Sequence, residues 1–70
     1  MITWKKTYLG REIVEIGMYK DLPVFSIYTD RSTGFTILQG IDKLSSHYSR
    51  HIDLVGAKKR AESEIEWRKL

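Results

Sequence analysis

Residues 24–40, VFSIYTDRSTGFTILQG, contain two runs of β-branched and aromatic residues separated by a polar segment. Such runs suit the pleated, half-buried surface of a sheet, and they predict strands over about 24–29 and 35–39. The intervening DRSTG ends in Gly34, which can adopt positive φ and so fits a longer hairpin connection. This stretch therefore predicts a β-hairpin.

The residues before the hairpin show the same period of two. Apolar and polar side chains alternate over about 2–8 and 12–19, which predicts two more strands with a turn at Leu9-Gly10-Arg11. Pro23 donates no ladder hydrogen bond and separates the second strand from the hairpin. The result is a three- to four-stranded antiparallel β-meander, followed by a loop over 40–52.

The C-terminal segment predicts a helix over about 54–68. Asp53 is suited to cap its first turn, and Leu54, Ala57, Ala61 and Ile65 recur at three- and four-residue spacing as one apolar stripe. The predicted fold is a single α+β domain over residues 1–70, with this helix packed on the sheet. The residues expected in the core are Trp4, Val14, Ile16, Met18, Phe25, Ile27, Phe35, Ile37, Leu54, Ala61 and Ile65.

Length and composition restrict the class of protein. The chain has 70 residues, 41% of them hydrophobic and 30% charged, and no cysteine. Disulfides and thiolate metal sites are excluded, and the short apolar runs predict neither a membrane span nor a signal peptide. We therefore expect a cytoplasmic protein without membrane association. A domain this small buries only about 60% of its unfolded surface, which favours an unusually good core or a homo-oligomer.

Catalytic signatures are absent from the sequence. No nucleophile elbow, phosphate-binding glycine loop or clear acid–base carboxylate pair occurs, so we predict no enzyme activity and no cofactor. His47 and His51 are four residues apart, but zinc normally takes three or four ligands, so we predict no metal site. Both histidines are expected to be polar surface residues.

The basic run Lys58-Lys59-Arg60 belongs to the predicted helix. Its members point in three directions at 100° per residue, and Glu62, Glu64 and Glu66 follow closely, so a solvated helix face is the expected arrangement. Residues 54–70 carry a net charge of +2, against +1 for residues 1–53. The alternative is nucleic-acid binding through the basic helix and a basic, aromatic sheet face. The residues for that alternative are Lys58, Lys59, Arg60, Lys5, Lys6 and Arg11.

The aromatic residues favour a protein interface. Trp67 lies opposite the apolar stripe of the predicted helix, where a large exposed ring is unusual. Tyrosine, tryptophan and arginine are frequent interface anchors. We therefore predict a non-catalytic accessory or regulatory module that binds a macromolecular partner, a protein in preference to nucleic acid. The predicted partner-binding residues are Trp67, Tyr48, His47, Arg50 and Tyr28, and a homodimer through Trp67 is a third alternative.

Two resemblances accompany these patterns. The hairpin PVFSIYTDRSTGFTILQG (23–40) and the helix GAKKRAESEI (56–65) resemble the arm-binding domains of tyrosine-family integrases and related AP2-like domains. Those families read the DNA major groove with a three-stranded sheet, but this hairpin offers only Arg31 beside Asp30, so no base contact is assigned. Trp4, the short aromatic strands and the AKKRAES helix (57–63) resemble small single-domain proteins encoded by phages and prophages. That resemblance implies binding and modulation of a host or phage protein.

Overall fold

The computed structural model describes residues 1–9 and 12–69 of the chain. Over these residues it contains one antiparallel sheet with the strands in sequence order, and a single long helix that follows them. The α+β class and the C-terminal helix are confirmed, but the prediction of three to four strands is wrong because five are present. The elements are β1 (Thr3–Leu9), β2 (Glu12–Tyr19), β3 (Leu22–Thr29), β4 (Thr36–Gly40), a 3₁₀ turn (Asp42–Leu44), β5 (Tyr48–His51) and α1 (Leu54–Arg68).

The hairpin of β3 and β4 forms as predicted. The Asp30 carbonyl accepts the Gly34 amide at 2.7 Å, and the Asp30 carboxylate accepts the Ser32 amide at 3.0 Å. Strand β3 begins earlier than expected because Lys20 and Asp21 both adopt left-handed φ and close a tight turn after β2. Pro23 therefore lies inside β3, opposite Met18 and beside a bulge in β2, where a missing amide is tolerated.

Strand β5 occupies the segment predicted as the end of a 40–52 loop. It pairs antiparallel with β4 over Tyr48–His51, and it is an edge of the sheet. No apolar alternation marks it, because the residues that point toward the helix from this segment are polar. Before β5, the 3₁₀ turn buries Leu44 beneath the sheet edge.

Helix α1 has the predicted bounds and the predicted cap. The Asp53 carboxylate accepts the Gly56 amide at 2.8 Å, and Lys69 ends the helix in the left-handed conformation. Ala57 and Ala61 are fully buried, so the helix lies close to the sheet, packing mainly on β4 and β5. The amide of Ile2 donates to the Glu62 carboxylate at 2.7 Å and joins the beginning of β1 to the helix.

The core between sheet and helix differs from the predicted one. Phe25, Ile27, Ala61 and Ile65 are confirmed, and Trp4 packs at the margin. Phe35 and Leu54 were wrongly placed in the core, since they are 38% and 37% exposed. The core members missed by the sequence analysis are Ile2, Leu38, Leu44 and Ala57.

The other predicted core residues lie on the face of the sheet that turns away from α1. Val14 and Ile37 are buried, as predicted, but they lie on this face and outside the helix-side cluster, while Ile16 is only half-buried. In β2 the residue that meets the helix is Glu15, whose carboxylate lies 2.9 Å from the Lys58 ammonium. The predicted assignment of β2 faces was therefore reversed, because a period of two indicates that faces differ without showing which one a helix will cover.

Across the described residues, no helix has the length and apolar character needed to cross a membrane.

Candidate interaction surface

Within residues 1–9 and 12–69, no helix covers the face of the sheet opposite α1, and we call this face the open face. Strand register aligns its side chains in two rows: the first is paired across all five strands, and the second is paired over β1 and β2 and again over β3 to β5. The first row is Lys5, Ile16, Ser26, Gln39 and Tyr48, and the second is Thr7, Val14, Tyr28, Ile37 and Arg50. Among these ten side chains, the charged ones are both cations: Lys5 on β1 and Arg50 on β5.

Long side chains on the open face are held by their neighbours. The Tyr28 hydroxyl donates to Oε1 of Gln39 at 3.1 Å, and the Arg50 guanidinium lies over the Phe35 ring, 5.6 Å from its centroid. Burial raises the pKa of the Tyr28 hydroxyl, with smaller contributions from Tyr48 and Asp30, so the hydroxyl stays protonated. These contacts hold the aromatic and cationic groups of the open face in place. The apolar side chains of Val14 and Ile37 on the same face are already buried.

Tyr48 is the most exposed ring of this surface. It is 58% exposed and lies at the end of its row, on the edge strand. A tyrosine in this position offers a large flat area at little cost in side-chain entropy. Tyr28, Tyr48 and Arg50, three of the predicted partner-binding residues, thus lie on one face together with Lys5 from the nucleic-acid alternative.

His47 does not belong to the open face, although it was predicted to bind a partner. Its ring is buried on the helix side, edge-on to Phe25 with the ring centroids 5.8 Å apart. Nδ1 lies 3.0 Å from Oε1 of Glu64, and Nε2 lies 2.8 Å from Oγ of Ser49. The Ser49 hydroxyl also contacts Nε2 of His51 at 2.7 Å.

Donor and acceptor roles in this chain follow from the carboxylate. An ionised Glu64 only accepts, so His47 carries its proton on Nδ1 and accepts at Nε2 from the Ser49 hydroxyl. Because that hydroxyl has one proton, His51 must donate to it. A carboxylate, an imidazole and a serine hydroxyl linked in this order also form hydrolytic triads, in which the serine attacks a substrate. Here the Ser49 oxygen is engaged on both sides, and the 560 Å³ cavity beside Glu64 is lined by Arg60, Ser63, Glu64, Trp67 and Arg68, without Ser49.

Glu64 is the charge at the centre of this cluster. Burial raises its pKa, but hydrogen bonds from Arg60 and Arg68 and the nearby His47 outweigh burial and hold the pKa below its ordinary value. Arg60 Nη2 lies 3.2 Å from Oε1, and Arg68 Nε lies 3.4 Å from Oε2. Burial lowers the pKa of His47, so the imidazole is neutral at pH 7. The arrangement supports the fold by satisfying a buried carboxylate.

Two members of the basic run of α1 form ion pairs with acidic residues of the same chain. Lys58 pairs with Glu15 and lies over the Trp4 ring, 5.6 Å from its centroid, while Arg60 binds Glu64. Lys59 is exposed. The three side chains therefore do not form one phosphate-binding patch.

The other residues of the nucleic-acid alternative are scattered. Lys6 is opposite Glu15, on the helix side of the sheet, and Arg11 lies outside the described residues. Among the members of that set that the structure describes, Lys5 alone lies on the open face. The sequence did not reveal which of these basic residues share a face, because that depends on which face of the sheet the helix covers.

Trp67 is 84% exposed on α1, as predicted. It belongs to a flank of the helix with Arg60 and Glu64, spaced at four and three residues, and this flank is turned toward β5, since Glu64 contacts His47 and Arg68 contacts Ser46. Trp67 is thus on the opposite side of the sheet from Tyr48, but both lie at the β5 edge.

No group of three or more potential metal-ligating side chains is found among the residues that the structure describes. No protein-family model, curated protein or solved structure matches this chain. The resemblances to phage-encoded proteins and to integrase arm-binding domains therefore remain predictions.

Proposed function

We propose that this chain is a non-catalytic binding module that recognises an acidic, partly apolar protein surface with its open face. The observation that carries the proposal is the register that aligns Lys5, Tyr28, Tyr48 and Arg50 on a face with no helix above it. Both charged side chains in its two rows are cations. The proposal keeps the cytoplasmic location and the phage-type modulator role expected from the sequence.

The energetics of such a surface favour a few anchors. Interface hot spots are enriched in tyrosine, tryptophan and arginine, and they cluster where water is excluded. Tyr48 and the stacked pair of Arg50 and Phe35 provide these groups at one end of the open face. Lys5, at the opposite end, can contribute to the rate of association and to orientation more than to affinity.

Nucleic acid is the second candidate, because exposed tyrosines on a sheet can stack on bases. With Lys5 and Arg50 as its phosphate contacts, the open face predicts a salt slope of only about −1.4 for a single strand. A dedicated nucleic-acid protein contacts more phosphates than this. Lys58 pairs with Glu15 and Arg60 pairs with Glu64, which makes these two side chains of the helix less available to phosphates.

The test is affinity capture of the tagged protein from a bacterial lysate, with and without nuclease, followed by binding measurements with the captured partner. We expect a discrete protein that survives nuclease, and we expect Tyr48→Ala to weaken its binding by about tenfold or more. Lys5→Glu should weaken it further as salt is lowered. Lys59→Glu is the matched control, since Lys59 is an exposed lysine on the helix side.

Two outcomes contradict the proposal. One is binding that Tyr48→Ala and Lys5→Glu leave unchanged, which would exclude the open face. The other is capture that disappears with nuclease and shows a steep salt dependence, which would favour nucleic acid.

A further inference from the structure

The outer edge of β5 has backbone groups with no strand beside them. The Gly40 amide donates to the His47 carbonyl at 3.0 Å, and in an antiparallel ladder such bonded pairs alternate with non-bonded ones. Ser49 and His51 therefore direct their backbone groups toward β4. Tyr48 and Arg50 direct theirs away from the sheet, so the edge presents two amides and two carbonyls to a further strand.

A second β5 strand fits this edge with two-fold symmetry. If the outward groups of each strand meet in antiparallel pairs, Ser49 lies opposite Ser49 of the second copy, and Tyr48 lies opposite Arg50 of the second copy. The two symmetry-related pairs of Tyr48 with Arg50 are on the open face, where a guanidinium and a phenol ring directly opposite each other attract. The four-residue strand is thus complementary to itself.

The helix supplies a second line of contact at the same edge. Because α1 packs mainly on β4 and β5, joining two β5 strands would place two helices side by side across the symmetry axis. The flanks that would meet are those carrying Arg60, Glu64 and Trp67. Along each flank the cation Arg60 is followed by the anion Glu64 and then by the indole ring of Trp67, which is 84% exposed in the single chain.

We propose that the protein forms a symmetric dimer through the free edge of β5, with Trp67 packed across the two-fold axis. The dimer has one continuous ten-stranded sheet, with both helices on one face and both open faces on the other. Trp67 is buried in it, and a domain that is small for independent stability gains core. This interface shares the Tyr48 and Arg50 side chains with the open face, but it does not depend on the function proposed there, because its hydrogen bonds come from the β5 backbone and its second line of contact comes from the helix flank.

Proline substitution separates the backbone of this edge from its side chains. Arg50→Pro removes an amide that points outward and leaves the bonds between β4 and β5 in place. Arg50→Ala removes the same side chain and keeps the amide. The pair of variants therefore isolates the hydrogen bonds that would cross the dimer axis.

The measurement is solution mass by sedimentation from about 1 µM to about 1 mM, with tryptophan fluorescence recorded in parallel for the wild type and for Trp67→Ala, which retains only Trp4. We expect the wild-type mass to rise from the chain value of 8.2 kDa to twice that value, with a blue shift of the emission. Arg50→Pro should weaken the dimer by about thirtyfold relative to Arg50→Ala, because two symmetric hydrogen bonds are lost. Trp67→Ala should also favour the monomer, while unfolding curves confirm that each variant is folded.

A mass of one chain throughout the concentration range would overturn the proposal. So would a dimer that Arg50→Pro and Arg50→Ala weaken equally, since the β5 backbone would then not be at the interface. Because Lys5 lies four strands away from β5, Lys5→Glu should affect partner binding without changing the mass. Failure of the dimer and failure of the proposed function can thus be told apart.

Discussion

The imidazole of His47 lies 3.0 Å from the carboxylate of Glu64, and both side chains are buried between sheet and helix. The contact joins the residue just before β5 to the C-terminal half of α1. It is the polar counterpart of the apolar packing around Phe25, whose ring the same imidazole meets edge-on. We therefore expect substitution of Glu64 to change the free energy of unfolding.

Replacing Glu64 by Gln should destabilise the fold by about 1–3 kcal/mol, because His47, Arg60 and Arg68 lose the charge that they share. The measurement is the free energy of unfolding from urea titration at pH 7. Glu66→Gln, on the exposed side of the same helix, is the control and should change little. Equal effects at the two positions would contradict the structural role of the cluster.

Stability should fall as the pH is lowered below the usual histidine value of 6.5. The pKa of His47 is lower in the folded state, so between that pKa and 6.5 the unfolded chain binds more protons and unfolding is favoured. A second loss is expected below the usual glutamate value of 4.5, because the folded state also lowers the pKa of Glu64.

Urea midpoints measured at intervals from pH 8 to pH 4 would show the two stages. His47→Gln keeps an amide that can donate to Glu64 and accept from Ser49, but it cannot titrate. In this variant the upper stage should disappear and the lower one should remain. A wild-type midpoint that stays constant down to about pH 5 would contradict the lowered pKa of His47.

Lys58 and Lys59 should behave differently although they are neighbours. Lys58→Met leaves the buried Glu15 without its ammonium partner 2.9 Å away, at a cost of about 1–3 kcal/mol. Lys59→Met removes an exposed charge and should change the free energy of unfolding by about 0.5 kcal/mol or less. The measurement is the free energy of unfolding of the two variants, obtained side by side by thermal or urea unfolding.

Gly40→Ala should be strongly destabilising, because a Cβ at this position would collide with the carbonyl of Leu44 in the 3₁₀ turn. Backbone cannot move aside as a side-chain tip can, so the expected cost is about 3 kcal/mol or more. Gly56→Ala is the matched control: its Cβ would lie 3.2 Å from Asp53 Oδ1, and alanine favours helix. A Gly40→Ala protein as stable as wild type would show that β4 and the turn are less tightly packed than described.

The sequence could predict those elements whose own residues indicate the structure without reference to distant parts of the chain. Asp53 marks the helix start through its own side chain, and the 54–68 bounds agree with the structure. β5 has no such signal: Ser49 and His51 point toward the helix side and are polar, because they hydrogen-bond to each other and Ser49 also bonds His47, rather than meeting a hydrophobic layer. A four-residue polar strand is recognisable only after its partner strand is known.

The candidate surface, too, could be predicted only in part from the sequence. Tyr28, Tyr48 and Arg50 were selected by residue type, but their shared face depends on register across three strands. Leu38 and Ile37 are adjacent and both buried, so alternation alone could not decide which of them meets the helix. His47 was misplaced because a single histidine in a polar segment carries no sign of a buried carboxylate seventeen positions away.

The order of the sheet has a consequence for how the chain reaches this structure. Each strand pairs with the one next to it in sequence, so the sheet can grow by closing short loops, one hairpin after another. The bond from the Ile2 amide to Glu62 spans sixty positions and depends on the helix being docked against the finished sheet. Folding is therefore expected to proceed through local steps, with the joining of the two ends of the chain as the last.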